Sequence, residues 1–194
     1  MLRATLTAAS ICMIPSVALA EPQRFELDPE QTMVAVLVSH LGFSNVLGQF
    51  TDVSGSFVFD EETETLSEVD VRVGTESFRT NSDRRDNHIR SKDFLDVENF
   101  PEMNFAASEG EVTGDGSGTV IGELTLLGVT NPVTLDVSMN KREAYPFGHE
   151  RYTLGISARG QINRSDWGMS YGIAEGWVGD EVELIIETQA LREE

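Results

Sequence analysis

Apolar and polar residues alternate with a period of two along most of the chain beyond residue 30. Such alternation is typical of β-strands that turn one face to a core and the other to solvent. Segments rich in Gly, Pro, Asn and Asp interrupt the alternation, and these residue types favour turns. The pattern predicts about eight strands, with apolar positions within 34–38, 57–59, 69–73, 103–105, 120–126, 133–139, 152–162 and 182–186.

The connections between these segments are mostly of hairpin length, which predicts antiparallel pairing. A sheet of eight long strands can remove its two open edges by closing on itself. We therefore expect an all-β fold, an eight-stranded antiparallel barrel. Residues 82–96 lack the alternation, and Ser82 or Asp83 can N-cap a short helix there. This segment predicts a short helical insertion that covers one end of the barrel.

The first twenty residues differ from the rest of the chain. Arg3 precedes a short apolar run, and small residues end that run at Ala20. These are the parts of a secretory signal peptide, and the run is too short to span a bilayer. We therefore expect residues 1–20 to be a signal peptide cleaved after Ala20, and residues 21–194 to form one domain in the periplasm. Cys12, the only Cys, would leave with the signal peptide.

The chain is strongly acidic, with 33 Asp and Glu against 14 Lys and Arg and a formal net charge of −19. Binding to nucleic acid needs clustered positive charge, so the balance argues against a nucleic-acid partner. It also argues against docking on an anionic membrane surface. No stretch after residue 20 is apolar enough to predict stable insertion into a membrane. The sequence leaves the identity of any protein partner unknown.

Candidate catalytic and metal-binding residues give weak patterns. Residues 168–172 match the Gly-x-Ser-x-Gly nucleophile motif around Ser170, but no His follows in the chain to complete a triad. His40, His88 and His149 are far apart and lack the spacing of zinc ligands. We therefore predict no catalytic residue, no metal site and no required cofactor.

Five blocks of sequence, in order along residues 25–190, resemble the YceI-like family. They are residues 39–44 (Ser-His-Leu-Gly-Phe-Ser), 85–96 (Arg-Asp-Asn-His-Ile-Arg-Ser-Lys-Asp-Phe-Leu-Asp), 122–133 (Gly-Glu-Leu-Thr-Leu-Leu-Gly-Val-Thr-Asn-Pro-Val), 162–168 (Ile-Asn-Arg-Ser-Asp-Trp-Gly) and 178–182 (Val-Gly-Asp-Glu-Val). The resemblance implies a lipocalin-like barrel that encloses one long lipid of the isoprenoid type, such as an isoprenoid quinone or a polyprenyl phosphate. It implies a secreted binding protein rather than an enzyme, used for carriage or sequestration.

A barrel of eight strands is just wide enough for side chains or for one slim ligand. The residues we expect to line such a pocket are Val34, Val36, Val38, His40, Phe57, Phe59, Val71, Phe94, Met103, Phe105, Leu124, Leu126, Ile156, Trp167 and Met169. The alternative is that these side chains fill a solid core.

Residues 85–96 allow two interpretations. In the first, the segment is a lid whose His88 and Arg90 lie near the polar end of the ligand. In the second, its role is structural: Asp86 and Asp93 pair with Arg85, Arg90 or Lys92 and fix the helical segment to the barrel as a packing lock. Two other functions stay open: a lipid-acting hydrolase that uses Ser170, and an envelope protein-interaction module without a ligand.

Overall fold

The computed structural model describes residues 21–112 and 115–194, and the predicted signal peptide lies outside these ranges. Within them the chain forms ten strand segments, one α-helix and two short 3₁₀ turns. The elements are β1 Gln23–Leu27, β2 Met33–His40, β3 Ser44–Phe50, β4 Val53–Asp60, β5 Thr65–Gly74, α1 Asp83–Arg90, β6 Glu102–Val112, β7 Ser117–Leu126, β8 Val129–Ala144, β9 Tyr152–Asn163 and β10 Val178–Arg192.

The strands close into an antiparallel ring of eight, which confirms the predicted barrel. Strands β4 to β10 follow one another in the sheet, and β1 pairs with both β4 and β10. The long strand β10 pairs with β9 along one edge, and along its other edge its C-terminal part pairs with β1 and the rest with β2. On the other side of these two segments, β4 pairs with β1 and β3 pairs with β2. Segments β1 and β2 therefore act as one interrupted barrel strand, and β3 and β4 as the next.

The sequence pattern did not predict β1 and β3 as separate segments. A turn between Asp28 and Thr32 interrupts the first strand, where the Gln31 N–H and the Thr32 hydroxyl both donate to the Asp28 carbonyl. In β3 the alternation is broken by Gly48, because the ring of Phe78 occupies the place of a side chain there. A Cβ atom on Gly48 would lie 2.1 Å from that ring.

Helix α1 is shorter than the predicted insertion and ends at Arg90. Ser82 occupies the N-cap position, but its side chain makes no capping hydrogen bond. Instead the buried carboxylate of Asp86 accepts hydrogen bonds from the N–H and the hydroxyl of Thr80, 2.9 and 2.5 Å away. These two hydrogen bonds hold the helix to the segment that precedes it.

The packing-lock interpretation named the wrong partners. Asp86 is bound to Thr80, and Asp93 accepts a hydrogen bond from His88 at 3.1 Å instead of pairing with an Arg or Lys. Hydroxyl, amide and imidazole donors can satisfy a carboxylate as well as a cation can, so the charge pattern alone did not select the partner.

A compact apolar cluster closes the end of the barrel where the termini of the described domain meet. Phe25, Leu154 and Ala190 are fully buried there, and Phe59 is 1 % exposed. The other end carries α1, the β2–β3 hairpin and the β9–β10 loop. No helix in the described ranges is long and apolar enough to cross a membrane.

Candidate binding cavity

The barrel is hollow. Its interior contains a cavity of about 650 Å³ whose wall is almost entirely aliphatic and aromatic. Val34, Val36 and Val38 point inward from β2, yet they are only half-buried, because their side chains face this space. The interior is therefore not a solid core.

Most of the residues expected to line a pocket lie on this wall. They are Val34, Val36, Val38, His40, Phe57, Phe59, Val71, Phe94, Met103, Phe105, Leu124, Leu126, Ile156 and Met169, with His88 of the predicted lid. Their placement follows from strand alternation, since every second residue of a barrel strand faces the interior.

Trp167 and Arg90 lie outside the wall. Trp167 is 3 % exposed and packs into the apolar core, and its indole N–H donates to the Leu124 carbonyl at 3.0 Å. Arg90 donates to the carbonyls of Phe78 and Glu76 at 2.6 and 3.1 Å. Both side chains fix neighbouring backbone, which is a structural role that the sequence pattern could not distinguish from ligand contact.

The wall also includes apolar residues that were not among those expected to line a pocket. Leu184 and Ile186 are in phase with Val182 on β10, and Leu135 and Ile162 take the same inward phase on β8 and β9. The alternation that predicted these strands already indicated their inward faces. Phe78 gave no such signal, because it reaches the wall from the loop before α1.

The cavity has one exposed end, which we call the mouth (His40, Leu41, His88, Tyr171 and Trp177). These are the lining residues of the described chain with exposed side chains, and they lie together. The Leu41 N–H donates to the Trp177 carbonyl at 2.9 Å. The rings of His88 and Tyr171 are 4.9 Å apart, and those of Tyr171 and Trp177 are 6.3 Å apart.

Aromatic contacts tie α1 to the β9–β10 loop beside the mouth. His88 meets Tyr171 edge to face, and Phe94 lies 5.2 Å from His88 and 5.1 Å from Tyr171. Asp93 bonds to the Nε2 atom of His88, which fixes the orientation of the imidazole. The predicted lid residue His88 therefore lies at the mouth, where two elements from distant parts of the sequence meet.

A buried arginine anchors the β9–β10 loop to the wall. Arg164 is 2 % exposed and donates to four backbone carbonyls, those of Met169, Tyr171, Val178 and Gly179, at 2.7 to 3.0 Å. Burial lowers the pKa of its guanidinium below the ordinary value, and the charge of nearby Asp180 counteracts this. A planar group with five donors suits such a site, because one side chain can satisfy several carbonyls at once.

Ser170 lies in the same loop but not on the cavity wall. Its side chain is exposed, and in the described chain no His or carboxylate forms a hydrogen bond with it. A nucleophile elbow joins a strand to a helix, whereas this loop joins two antiparallel strands, β9 and β10. The local structure gives Ser170 no activating base.

The fold and the site together define a class of protein: a closed, eight-stranded antiparallel barrel with an apolar internal cavity. Residues 25–190 match the YceI-like domain, and the chain belongs to the YceI-like family. A UPF0312 protein of Yersinia enterocolitica is 35% identical over 187 residues, which cover 96% of this chain and 95% of that protein.

Solved structures share the fold. The crystal structure of Burkholderia cenocepacia BcnA has a TM-score of 0.73 at 20% identity and covers 84% of this chain and 98% of that chain. A domain from Saccharophagus degradans, described as a polyisoprenoid binding domain implicated in plant cell wall breakdown, has a TM-score of 0.62 at 13% identity. That match covers 87% of this chain and 98% of that chain.

Proposed function

We propose that this protein is a binding protein, not an enzyme, and that it encloses one long-chain isoprenoid lipid for carriage or sequestration. The observation that carries the proposal is the hollow barrel, with a cavity of about 650 Å³ and an apolar wall. The structural likeness to a domain described as polyisoprenoid binding supports the isoprenoid class of ligand. The N-terminal signal-peptide pattern supports action in the periplasm.

The volume of the cavity sets the size of the enclosed chain. One carbon group needs about 30 Å³, roughly the volume that one water molecule occupies in the liquid. About 20 carbon groups therefore fit, which corresponds to about four isoprene units. Burying them is worth about 16 kcal/mol at about 0.8 kcal/mol each. Loss of translational and rotational freedom costs roughly 4–15 kcal/mol on association, so the gain from burial is large enough to offset it. Longer chains would extend through the mouth.

The polar end of the ligand belongs at the mouth. Apart from Thr32 and Thr188, which bond to each other at 2.7 Å, the polar side chains on the wall gather near that end. Arg85 and the two mouth histidines face the cavity there. Such donors suit the carbonyls of an isoprenoid quinone or the oxygens of a polyprenyl phosphate.

Native mass spectrometry tests the proposal directly. Protein isolated from its own cell envelope should carry one hydrophobic molecule, which organic extraction should release for identification. After extraction, the protein should take up one molecule of geranylgeraniol, a four-isoprene alcohol. If the isolated protein carries no ligand and binds neither geranylgeraniol nor an isoprenoid quinone, the proposal is contradicted.

A further inference from the structure

Four large apolar side chains at the open end of the barrel are exposed to water. Phe43 is 91% exposed at the tip of the β2–β3 hairpin, and Leu41, Trp177 and Tyr171 are 47%, 47% and 36% exposed. We call these four residues the rim patch. Isolated exposed apolar residues are common, but a contiguous group that includes an aromatic ring almost wholly in water marks an interaction surface.

The rim patch is continuous with the inside of the cavity. Leu41, Tyr171 and Trp177 line the cavity as well as reaching solvent. The hydrogen bond from the Leu41 N–H to the Trp177 carbonyl holds the hairpin beside the β9–β10 loop. An apolar path therefore runs from the interior to the outer surface, and Phe43 lies two residues beyond Leu41 at the tip of the same hairpin.

The charge beside the rim patch differs from that of the whole molecule. Residues 79–93 contain five basic and three acidic side chains, and residues 168–177 add only the acidic Glu175, in a chain with a net charge of −19. Arg84 and Lys92 are exposed, and neither forms a salt bridge within the described ranges. Arg84 lies one helical turn before His88, so it shares the helix face that reaches the mouth.

We propose that the rim patch docks on the surface of a bilayer of zwitterionic phospholipids, which carries no net charge to repel the acidic protein. Leu41 and Phe43 enter the boundary between head groups and acyl chains, where Trp177 and Tyr171 are also favoured, and Arg84 faces lipid phosphates. The inference rests on the proposed function, since docking lets a lipid pass between bilayer and cavity without crossing water. Local complementarity to phosphate and the continuous apolar path favour a bilayer over a protein partner.

The two tryptophans make docking measurable. Trp177 belongs to the rim patch, whereas Trp167 is 3 % exposed within the core. Phosphatidylcholine vesicles with brominated acyl chains should therefore quench Trp177 and leave Trp167 as constant background. The same vesicles without bromine provide the reference, and sedimentation with vesicles gives the partition coefficient.

A double variant and a matched control locate the contact. The double variant L41S/F43S should partition at least about tenfold more weakly, the factor that corresponds to burying one Phe side chain. The control F147S removes another exposed Phe, 66% exposed, at the opposite end of the barrel, and should partition like the wild type. Both variants should keep the wild-type melting temperature.

Three outcomes overturn the docking proposal: a wild type that neither sediments with vesicles nor is quenched, a double variant that binds them as well as the wild type, or an equal loss in the control. Geranylgeraniol uptake in the absence of vesicles separates this result from the proposed function. The single variant F43S, whose side chain is outside the cavity wall, should partition more weakly and still retain that uptake. Uptake by a wild type that ignores vesicles rejects docking alone, whereas absence of uptake rejects the lipid-binding function.

Discussion

The substitution V36W tests whether the cavity itself holds the ligand. Val36 lies on β2 between Gly48 of β3 and Leu184 of β10, and its half-buried side chain faces the cavity. Overpacking a dense core usually costs about 1–3 kcal/mol. Here the indole can extend into a space of about 650 Å³, so the variant should fold and melt near the wild-type temperature.

The loss of affinity follows from the displaced volume. Replacing Val with Trp adds roughly seven heavy atoms to the cavity, which displaces about as many carbon groups of the ligand. At about 0.8 kcal/mol per group, the variant loses about 6 kcal/mol of binding free energy. The dissociation constant for geranylgeraniol should therefore rise more than about a thousandfold.

Titration calorimetry of lipid-extracted protein measures this change. The control is L37W, the same substitution one residue later on β2, where the side chain is outside the cavity wall. It should bind geranylgeraniol like the wild type. If V36W binds as tightly as the wild type, or if L37W loses affinity equally, the ligand does not occupy the cavity and the reasoning is refuted.

Three further predictions concern the scaffold. In G55A a new Cβ atom would lie 2.5 Å from a backbone carbonyl of β5, so urea unfolding should show a loss of about 1–3 kcal/mol, and an unchanged midpoint contradicts this. D86A leaves the Thr80 N–H without its acceptor and should cost about 1–3 kcal/mol, whereas D86N keeps an acceptor and should cost clearly less; equal losses argue against this hydrogen bond. The Ser157 hydroxyl, helped by a neighbouring arginine, holds the pKa of Glu187 below its ordinary 4.5. The stability lost in S157A should therefore be present above pH 4.5 and disappear as the pH falls through the lowered pKa, and a pH-independent difference in melting temperature contradicts the coupling.

Strand alternation predicted the barrel because side chains along every strand of a closed sheet point alternately inward and outward. On β2, for example, Val36 faces the cavity, whereas its chain neighbours Ala35 and Leu37 lie outside the cavity wall. Most of the wall residues lie where this alternation places them. The alternation could not place Trp167, which follows β9 in a short 3₁₀ turn and packs into the core.

The mouth was harder to predict, because it is assembled from loops. His88, Tyr171 and Trp177 are far apart in sequence, and contacts between rings bring them together. The anchor that fixes the β9–β10 loop is Arg164, which the sequence presented only as part of a family block. Its role depends on four carbonyls that no periodicity reveals.

A hollow barrel must derive its stability from its walls. Relative to a filled interior, a cavity of about 650 Å³ costs on the order of 16 kcal/mol at about 24 cal/mol per Å³. This is close to the gross gain expected when about 20 carbon groups enter it. Residues 21–194 contain no Cys, so no disulfide offsets this cost. The stability must come from the closed hydrogen-bonded ladder of eight strands and from the apolar cluster around Phe25. The inward positions are therefore free to suit a ligand, because the backbone ladder holds the barrel together.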